Sequence, residues 1–385
     1  MSGPALRHPG ELRWETRLLA VVTATLVVFG IATIYGASGL VPSGHGVVGS
    51  SYSLSQLIGA LVGGLLMALV ARLDYRLLRP LAWPIMLGSL FLVVVTILPF
   101  THSIAPRING ARRWIRLGPV MLQASEVARL AVIIWCAMLA TKKGDQVREF
   151  KRGMVPFLVM LGFTSLLVLM QPNMSMAVLI TLVGGIVVFA AGAKIGHFLL
   201  LGVGGLIGAL QLIQVAGYRA DRINKFLNGA EGMSQIHQSL VGVGSGGLFG
   251  VGFGQGQQKM GFVPYAYSDF IFSAIGEEWG FVGVTMIVVL FGIFCWLGFR
   301  IARTAEDSFG QYLATGLTAA VGVTALMHMA VSLNLMPTTG LTLPFVSHGR
   351  SSLVMSLIGV GILISIGRQR GRPAPRSAAP DGSSR

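Results

Sequence analysis

Charge is scarce in this chain. Only 11% of its 385 residues are Asp, Glu, Lys or Arg, against about 25% in soluble domains. With 53% hydrophobic residues, that scarcity excludes an ordinary soluble domain and points to repeated membrane spans. Cysteine is nearly absent as well. Cys136 and Cys295 both fall in apolar runs and read as small core residues, which excludes a disulfide framework or a cysteine metal pair. A cleavage site is missing too. No A-x-A-like stretch follows the first apolar run, Leu18 to Ile34, and further runs succeed it, so it reads as a first span rather than a secretory leader. The Gly-rich stretch 242–256 (GVGSGGLFGVGFGQG) lacks the GKS/T ending of a phosphate-cradling loop, which excludes a nucleotide site of that kind. Its glycines instead permit close backbone approach and positive φ.

The charge that is present is one-sided. The formal net charge is +15, from 29 Lys and Arg against 14 acids. Arg7, Arg13 and Arg17 precede the first apolar run, and Arg72, Arg76 and Arg79 separate the second from the third. Lys142, Lys143, Arg148, Lys151 and Arg152 follow the fourth, Lys194 the sixth, Arg300 and Arg303 the eighth, and Arg368 opens a basic tail. Basic residues collect in cytoplasmic loops, so both ends are expected in the cytoplasm and no nucleic-acid partner is expected.

Ten spans are predicted: 17–38, 53–71, 79–99, 124–141, 153–170, 174–192, 195–215, 270–299, 311–335 and 351–367. The expected fold is therefore an all-α polytopic membrane protein, with a short cytoplasmic tail at 1–16 and a ten-span membrane domain at 17–368. A large periplasmic loop at 216–269 lies between spans seven and eight. The Pro/Ala/Ser-rich stretch 369–385 reads as a disordered cytoplasmic tail.

With acids so few, those near apolar runs matter. Asp269 directly precedes the run FIFSAIG. It reads either as a helix cap, together with Ser268, or as a carboxylate at a membrane boundary beside Tyr265, Tyr267 and Phe270, a setting for a general base. Glu277 and Glu278 follow about 12–13 Å deeper on a helix. Acids inside a span need partners or water, and a structural network to neighbouring helices competes with a functional cavity. Glu126 and Arg129 share a helix face at i,i+3 spacing, either as an ion pair or as lining of a polar cavity. Arg107, Arg112, Arg113 and Arg116 flank Trp114 on the outer side, against the charge bias, where guanidinium forks suit a phosphate. Lys259, Arg219, Arg222 and Lys225 add to the same field. The segment Met336 to Ser352 (MPTTGLTLPFVSHGRSS) reads as a rigid re-entrant or hairpin piece lining a cavity.

The motifs NGARRWI, QASEVARL, QPNMSM, IHQSLVGVGSGGLFGVGFGQGQQK, SDFIFSAIGEEWG and MPTTGLTLPFVSHGRSS together resemble the shape, elongation, division and sporulation (SEDS) family. The resemblance runs from about Tyr35 to Arg368. It implies a peptidoglycan glycosyltransferase that polymerises lipid II at the outer face of the bacterial inner membrane. Asp269 matches the family's catalytic aspartate, which takes the proton of the acceptor sugar's 4-hydroxyl while the lipid pyrophosphate leaves. Trp114, Arg112, Glu126 and Arg129 match positions along the central cavity, and Lys259, Ser347 and Arg350 are further substrate-binding candidates. A class B penicillin-binding transpeptidase, and other divisome or elongasome proteins, are the implied partners. No organic cofactor is expected; the scattered oxygen ligands suit a divalent cation, Mg²⁺ or Mn²⁺. The stretch GQGQQK resembles the FtsW branch more than RodA, with a RodA-like elongation polymerase or a lipid II flippase as alternatives. This chain departs from the family pattern at Arg129 (usually Lys), Asn173 and Ser175 (Asp and Gly), Ser268 (Thr), His348 (Tyr) and Arg350 (Gly). Arg350 adds a candidate phosphate ligand.

Overall fold

A computed structural model describes residues 14–38, 42–43, 46–47, 49–108, 110–118, 120–197, 235–257 and 267–369. Its helices are α1 Trp14–Ser38, α2 Gly49–Val70, α3 Leu78–Ile97, α4 Ala124–Lys143, α5 Val155–Met170, α6 Met174–Ala190, α7 Gln235–Ser245, α8 Ile271–Arg303, α9 Ser308–Ser332 and α10 Arg350–Arg368. Two short antiparallel hairpins accompany them, β1 Pro42–Ser43 with β2 Gly46–Val47, and β3 Trp114–Leu117 with β4 Val120–Gln123. Among the described residues, 8 helices are long and apolar enough to cross a membrane, and α6 is a shorter apolar helix. The protein is a multi-pass, mostly helical membrane protein. Beyond residue 197, the predicted seventh span at 195–215 lies outside the described residues, as do the loop residues 216–234 and 258–266 and the tail beyond Gln369.

α4 sits at the centre of the bundle and is buried along most of its length, whereas α2 lies at the rim with most of its surface exposed. Small residues let α2 and α10 approach. A Cβ on Gly63 would stand 2.6 Å from Leu357 Cδ1, and one on Gly361 would stand 2.7 Å from the Met67 carbonyl oxygen, the close packing typical of small residues in membrane helices. α1 begins at Trp14, one turn before the predicted boundary. Arg300 of α8 holds that turn, with its Nε 2.5 Å from Glu15 Oε1 and its guanidinium over the rings of Trp14 and Trp296.

α8 is broken at Gly280, where φ is 62° and ψ is −159°, and the Gly-rich loop fills the break. The Val251 and Gly252 N–H groups donate to the Glu277 and Glu278 carbonyls at 2.9 and 3.2 Å, while the Phe281 and Val282 N–H groups donate to Gly247 and Leu248 carbonyls at 2.9 and 3.1 Å. Each of these groups would otherwise have lost its helical partner within the membrane. Only glycine permits the approach: a Cβ on Gly246 would stand 1.9 Å from the Gly276 carbonyl oxygen, and one on Gly250, at φ +82°, 2.1 Å from that of Glu278. The Glu277 carboxylate completes the joint by accepting from the Gln257 N–H at 2.7 Å. The described part of the predicted large loop is therefore a helix followed by a backbone plug in α8.

Candidate active site

A cavity of about 450 Å³ opens where α4, α6, α8 and α10 begin. Helix N-termini carry partial positive charge, so four converging starts favour an anionic occupant. Asp269, just before α8, lies on the cavity wall. It does not cap α8: Phe270 holds the cap position and makes no side-chain capping bond. The capping alternative is thus not realised. Ser268 instead donates its hydroxyl to Asp269 Oδ1 at 3.0 Å. Gly340, at φ +67°, passes the same carboxylate; a Cβ there would be 3.8 Å from Oδ2.

The β3–β4 hairpin brings Trp114 to the wall and pairs it with Gln123, which leads into α4. The arginines beside it separate. Arg113 lines the cavity and donates its Nε to the Gln171 carbonyl at 3.3 Å and its NH2 to that of Pro172. Arg112 turns away, to the Leu98 carbonyl at 3.0 Å and to His102 Nε2 at 3.1 Å. Adjacent residues on extended backbone point to opposite sides, and here the fold brings Arg113 to the wall while Arg112 anchors the segment after α3. Arg107 donates to its own turn at the Gly110 carbonyl, and Arg116 is exposed.

Glu126 and Arg129 are both buried, with Arg129 NH2 2.8 Å from Glu126 Oε2. Glu126 lines the large cavity; Arg129 reaches a separate small void beside Ser356. The ion pair therefore runs from the cavity wall to that void. Ser347 is buried away from the wall and its hydroxyl is in use, donating to the Ser268 carbonyl at 2.7 Å and accepting from the Leu343 N–H at 2.8 Å. It joins the turn before α10 to the segment carrying Asp269, and its hydroxyl is committed to that joint rather than to substrate. Glu277 and Glu278 are buried at the α8 break and are not on the cavity wall. Lys259 lies outside the described residues.

Arg350 opens α10 on the cavity wall. It forms no ion pair or hydrogen bond with a described residue, and a cation at a helix N-terminus is electrostatically disfavoured. Beside it, burial reinforced by the Arg350 charge holds the His348 imidazole down at about 4. Its Nε2 has no hydrogen-bond partner among the described residues, and its ring stands edge-on to Tyr52 and Tyr267. Phe345 occupies the same turn at φ 67°, a conformation that costs a non-glycine residue on the order of 1–3 kcal/mol. Its ring is buried against Phe294.

Other wall residues carry little signal in the sequence. Asn173 donates to Ser125 Oγ at 3.3 Å, and Ser175 donates to the Thr339 carbonyl at 2.7 Å, tying the start of α6 to α4 and to the 336–342 segment. Ser351 accepts from the Gln123 N–H at 3.1 Å and donates to the Met121 carbonyl at 2.7 Å, tying the starts of α4 and α10. A hydroxyl or amide at the edge of an apolar run was the available clue to each.

Fold and site define a multi-pass membrane protein with a polar cavity at one end of its bundle, walled by two acids, two arginines and four helix starts. The chain belongs to the FtsW, RodA and SpoVE family of cell cycle proteins, which matches residues 16–372. It is 39% identical over 365 residues to a probable peptidoglycan glycosyltransferase FtsW of Trichlorobacter lovleyi, covering 94% of this chain and 95% of that protein. Stage V sporulation protein E of Bacillus subtilis is 35% identical over 355 residues, covering 91% and 96%. Among solved structures, a chain from work on the coordination of polymerization and crosslinking by a peptidoglycan synthase complex superposes with a TM-score of 0.76 at 25% identity, covering 92% of this chain and 98% of that one. The rod shape determining protein RodA of Thermus thermophilus gives a TM-score of 0.65 at 26% identity, covering 92% and 97%.

Proposed function

We propose that the protein is a peptidoglycan glycosyltransferase that polymerises lipid II, in the division role of its FtsW-named relatives. The observation that carries this is the placement of Asp269 in a cavity shared with Arg113, Arg350 and four helix N-termini. Glycosyl transfer from a lipid diphosphate needs a base for the attacking hydroxyl and positive charge for the departing oxygens. Asp269 takes the proton of the acceptor's 4-hydroxyl as that oxygen attacks the anomeric carbon. The bond to the diphosphate breaks, and Arg350, Arg113 and the helix starts stabilise the leaving group. Trp114 offers an apolar ring face against sugar or lipid.

The excess of Lys and Arg in the opposite loops supports a cavity that faces the periplasm and a location in the inner membrane. The superposition with a chain of a synthase complex supports a crosslinking partner, read here as a class B penicillin-binding transpeptidase. Among the described residues no group of three or more His, Cys, Asp or Glu could hold a metal ion. Asp269 and Glu126 are the acids on the described wall, and Glu126 faces Arg129. That set suits a Mg²⁺ or Mn²⁺ shared with substrate phosphates, held by one or two carboxylates, which would neutralise diphosphate charge. Purified protein with its partner, given lipid II, is expected to yield glycan strands. Strands made equally well by Asp269→Asn, or lipid II crossing liposomes without polymer, would overturn the assignment.

A further inference from the structure

Gln56 lies fully buried on α2, a rim helix where Leu57, Leu61 and Leu65 are exposed. Its amide reaches across to the turn before α10. Nε2 donates to the Ser347 carbonyl at 2.9 Å, and Oε1 accepts from the Gly349 N–H at 3.1 Å. An amide supplies a donor and an acceptor on one rigid plane, so Gln56 replaces the neighbouring strand that this irregular backbone lacks. The turn is then joined to the backbone around Asp269, through Ser347 Oγ to the Ser268 carbonyl at 2.7 Å and through the His348 N–H to the Tyr267 carbonyl at 3.0 Å. One helical turn from Gln56, Tyr52 stacks on Tyr267 with ring centroids 4.3 Å apart.

We infer that Gln56 is a positioning residue for glycosyl transfer. It touches no substrate, and it fixes the proton-accepting Asp269 and the diphosphate-facing Arg350 to one frame. This rests on the reaction proposed above. Loss of alignment of about 1 Å in a reacting constellation costs about 100-fold in rate, so the effect belongs in kcat. α2 also packs on α10 at Gly59, against Arg350, and at Gly63, against Leu357, contacts that the amide itself does not make.

The test uses the full chain with its transpeptidase partner and lipid II, reading kcat, KM and the thermal midpoint. Wild type and Asp269→Asn come first: no polymer from wild type overturns the reaction and this inference together. Given active wild type, Gln56→Leu is expected to lower kcat about 10- to 100-fold, with KM within about threefold and the midpoint within a few degrees. Gln56→Glu gives a readout that a merely structural role would not move. Its ionised carboxylate cannot donate to the Ser347 carbonyl, whereas the protonated acid both donates and accepts. Its kcat relative to wild type is therefore expected to recover as pH falls, at constant folded fraction, and this decides the matter even if Gln56→Leu fails to fold. Wild-type kcat in both variants, or losses that track the folded fraction with no acid recovery, overturn the inference.

Discussion

Two stretches of irregular backbone interrupt the helices, and they dispose of their polar groups in opposite ways. At the α8 break, the carbonyls of Glu277 and Glu278 and the N–H groups of Phe281 and Val282 all bond to the plug at 247–252. The Glu277 carboxylate is engaged by the Gln257 N–H. At the turn before α10, the backbone is equally well held, by Gln56 and Ser347. Yet it places Arg350 and His348 on the cavity wall, Arg350 without an ion pair or hydrogen bond to a described residue and the buried His348 Nε2 without a hydrogen-bond partner among them. Self-satisfied irregularity is architecture in a membrane, where unmet groups are costly. Irregularity that leaves charge unmatched beside an acid marks the place for a ligand.

The comparison is broken most forcefully at its two ends. Asp269→Asn is expected to lower polymerisation about 10²- to 10⁴-fold, the usual worth of a general base, while the thermal midpoint in detergent stays near wild type. At the break the outcome reverses. Gly250→Val forces a Cβ into the Glu278 carbonyl and strains a positive φ, and is expected to destabilise by about 3 kcal/mol or more, seen as loss of folded protein before any change in KM. A stable, active Gly250→Val would remove the architectural reading of the plug.

Arg350→Gln sharpens the contrast, because the two measures should move apart. Polymerisation at low lipid II is expected to fall about tenfold, the loss of about one charge-assisted contact. Stability should rise by about 0.3–1 kcal/mol as a cation leaves a helix N-terminus. His348 supplies the pH arm. Its folded value is lowered to about 4 from the ordinary 6.5, so below 6.5 the unfolded chain takes up a proton that the folded chain refuses. The stability contributed by neutral His348 is complete above pH 6.5 and is lost as pH falls from there toward 4. His348→Phe should flatten that part of the curve, measured by thermal midpoints between pH 7 and pH 4.5. The smallest effect is expected for Glu277→Gln, whose amide oxygen still accepts from Gln257. Activity and midpoint should stay close to wild type, whereas a coupling acid in a transporter would lose function.

Much of this was legible in the chain. Apolar runs located the long helices, though not α7, which lies in the predicted loop, and the rarity of acids drew attention to Asp269 and to Glu126. The i,i+3 spacing of Glu126 and Arg129 carried their pairing. The segment 336–352 announced irregular backbone through Pro337, Gly340, Pro344 and Gly349. Less could be read where neighbours compete. Nothing in ARRW says that Arg113 rather than Arg112 lines the cavity, because the choice is made by the carbonyls of Gln171, Pro172 and Leu98. Ser347 reads as a candidate ligand and is a joint. Gln56 reads as one polar residue in an apolar run, and its partners lie 291 and 293 residues away.

By itself, the sequence determined that this chain enters a membrane and roughly where its long helices run. Those outcomes follow from transfer free energies summed along short windows, and short windows are local. Only the tertiary structure decided which polar groups satisfy one another and which remain for a ligand. A hydrogen bond needs its partner within about 3 Å, and here the partners come from opposite ends of the chain.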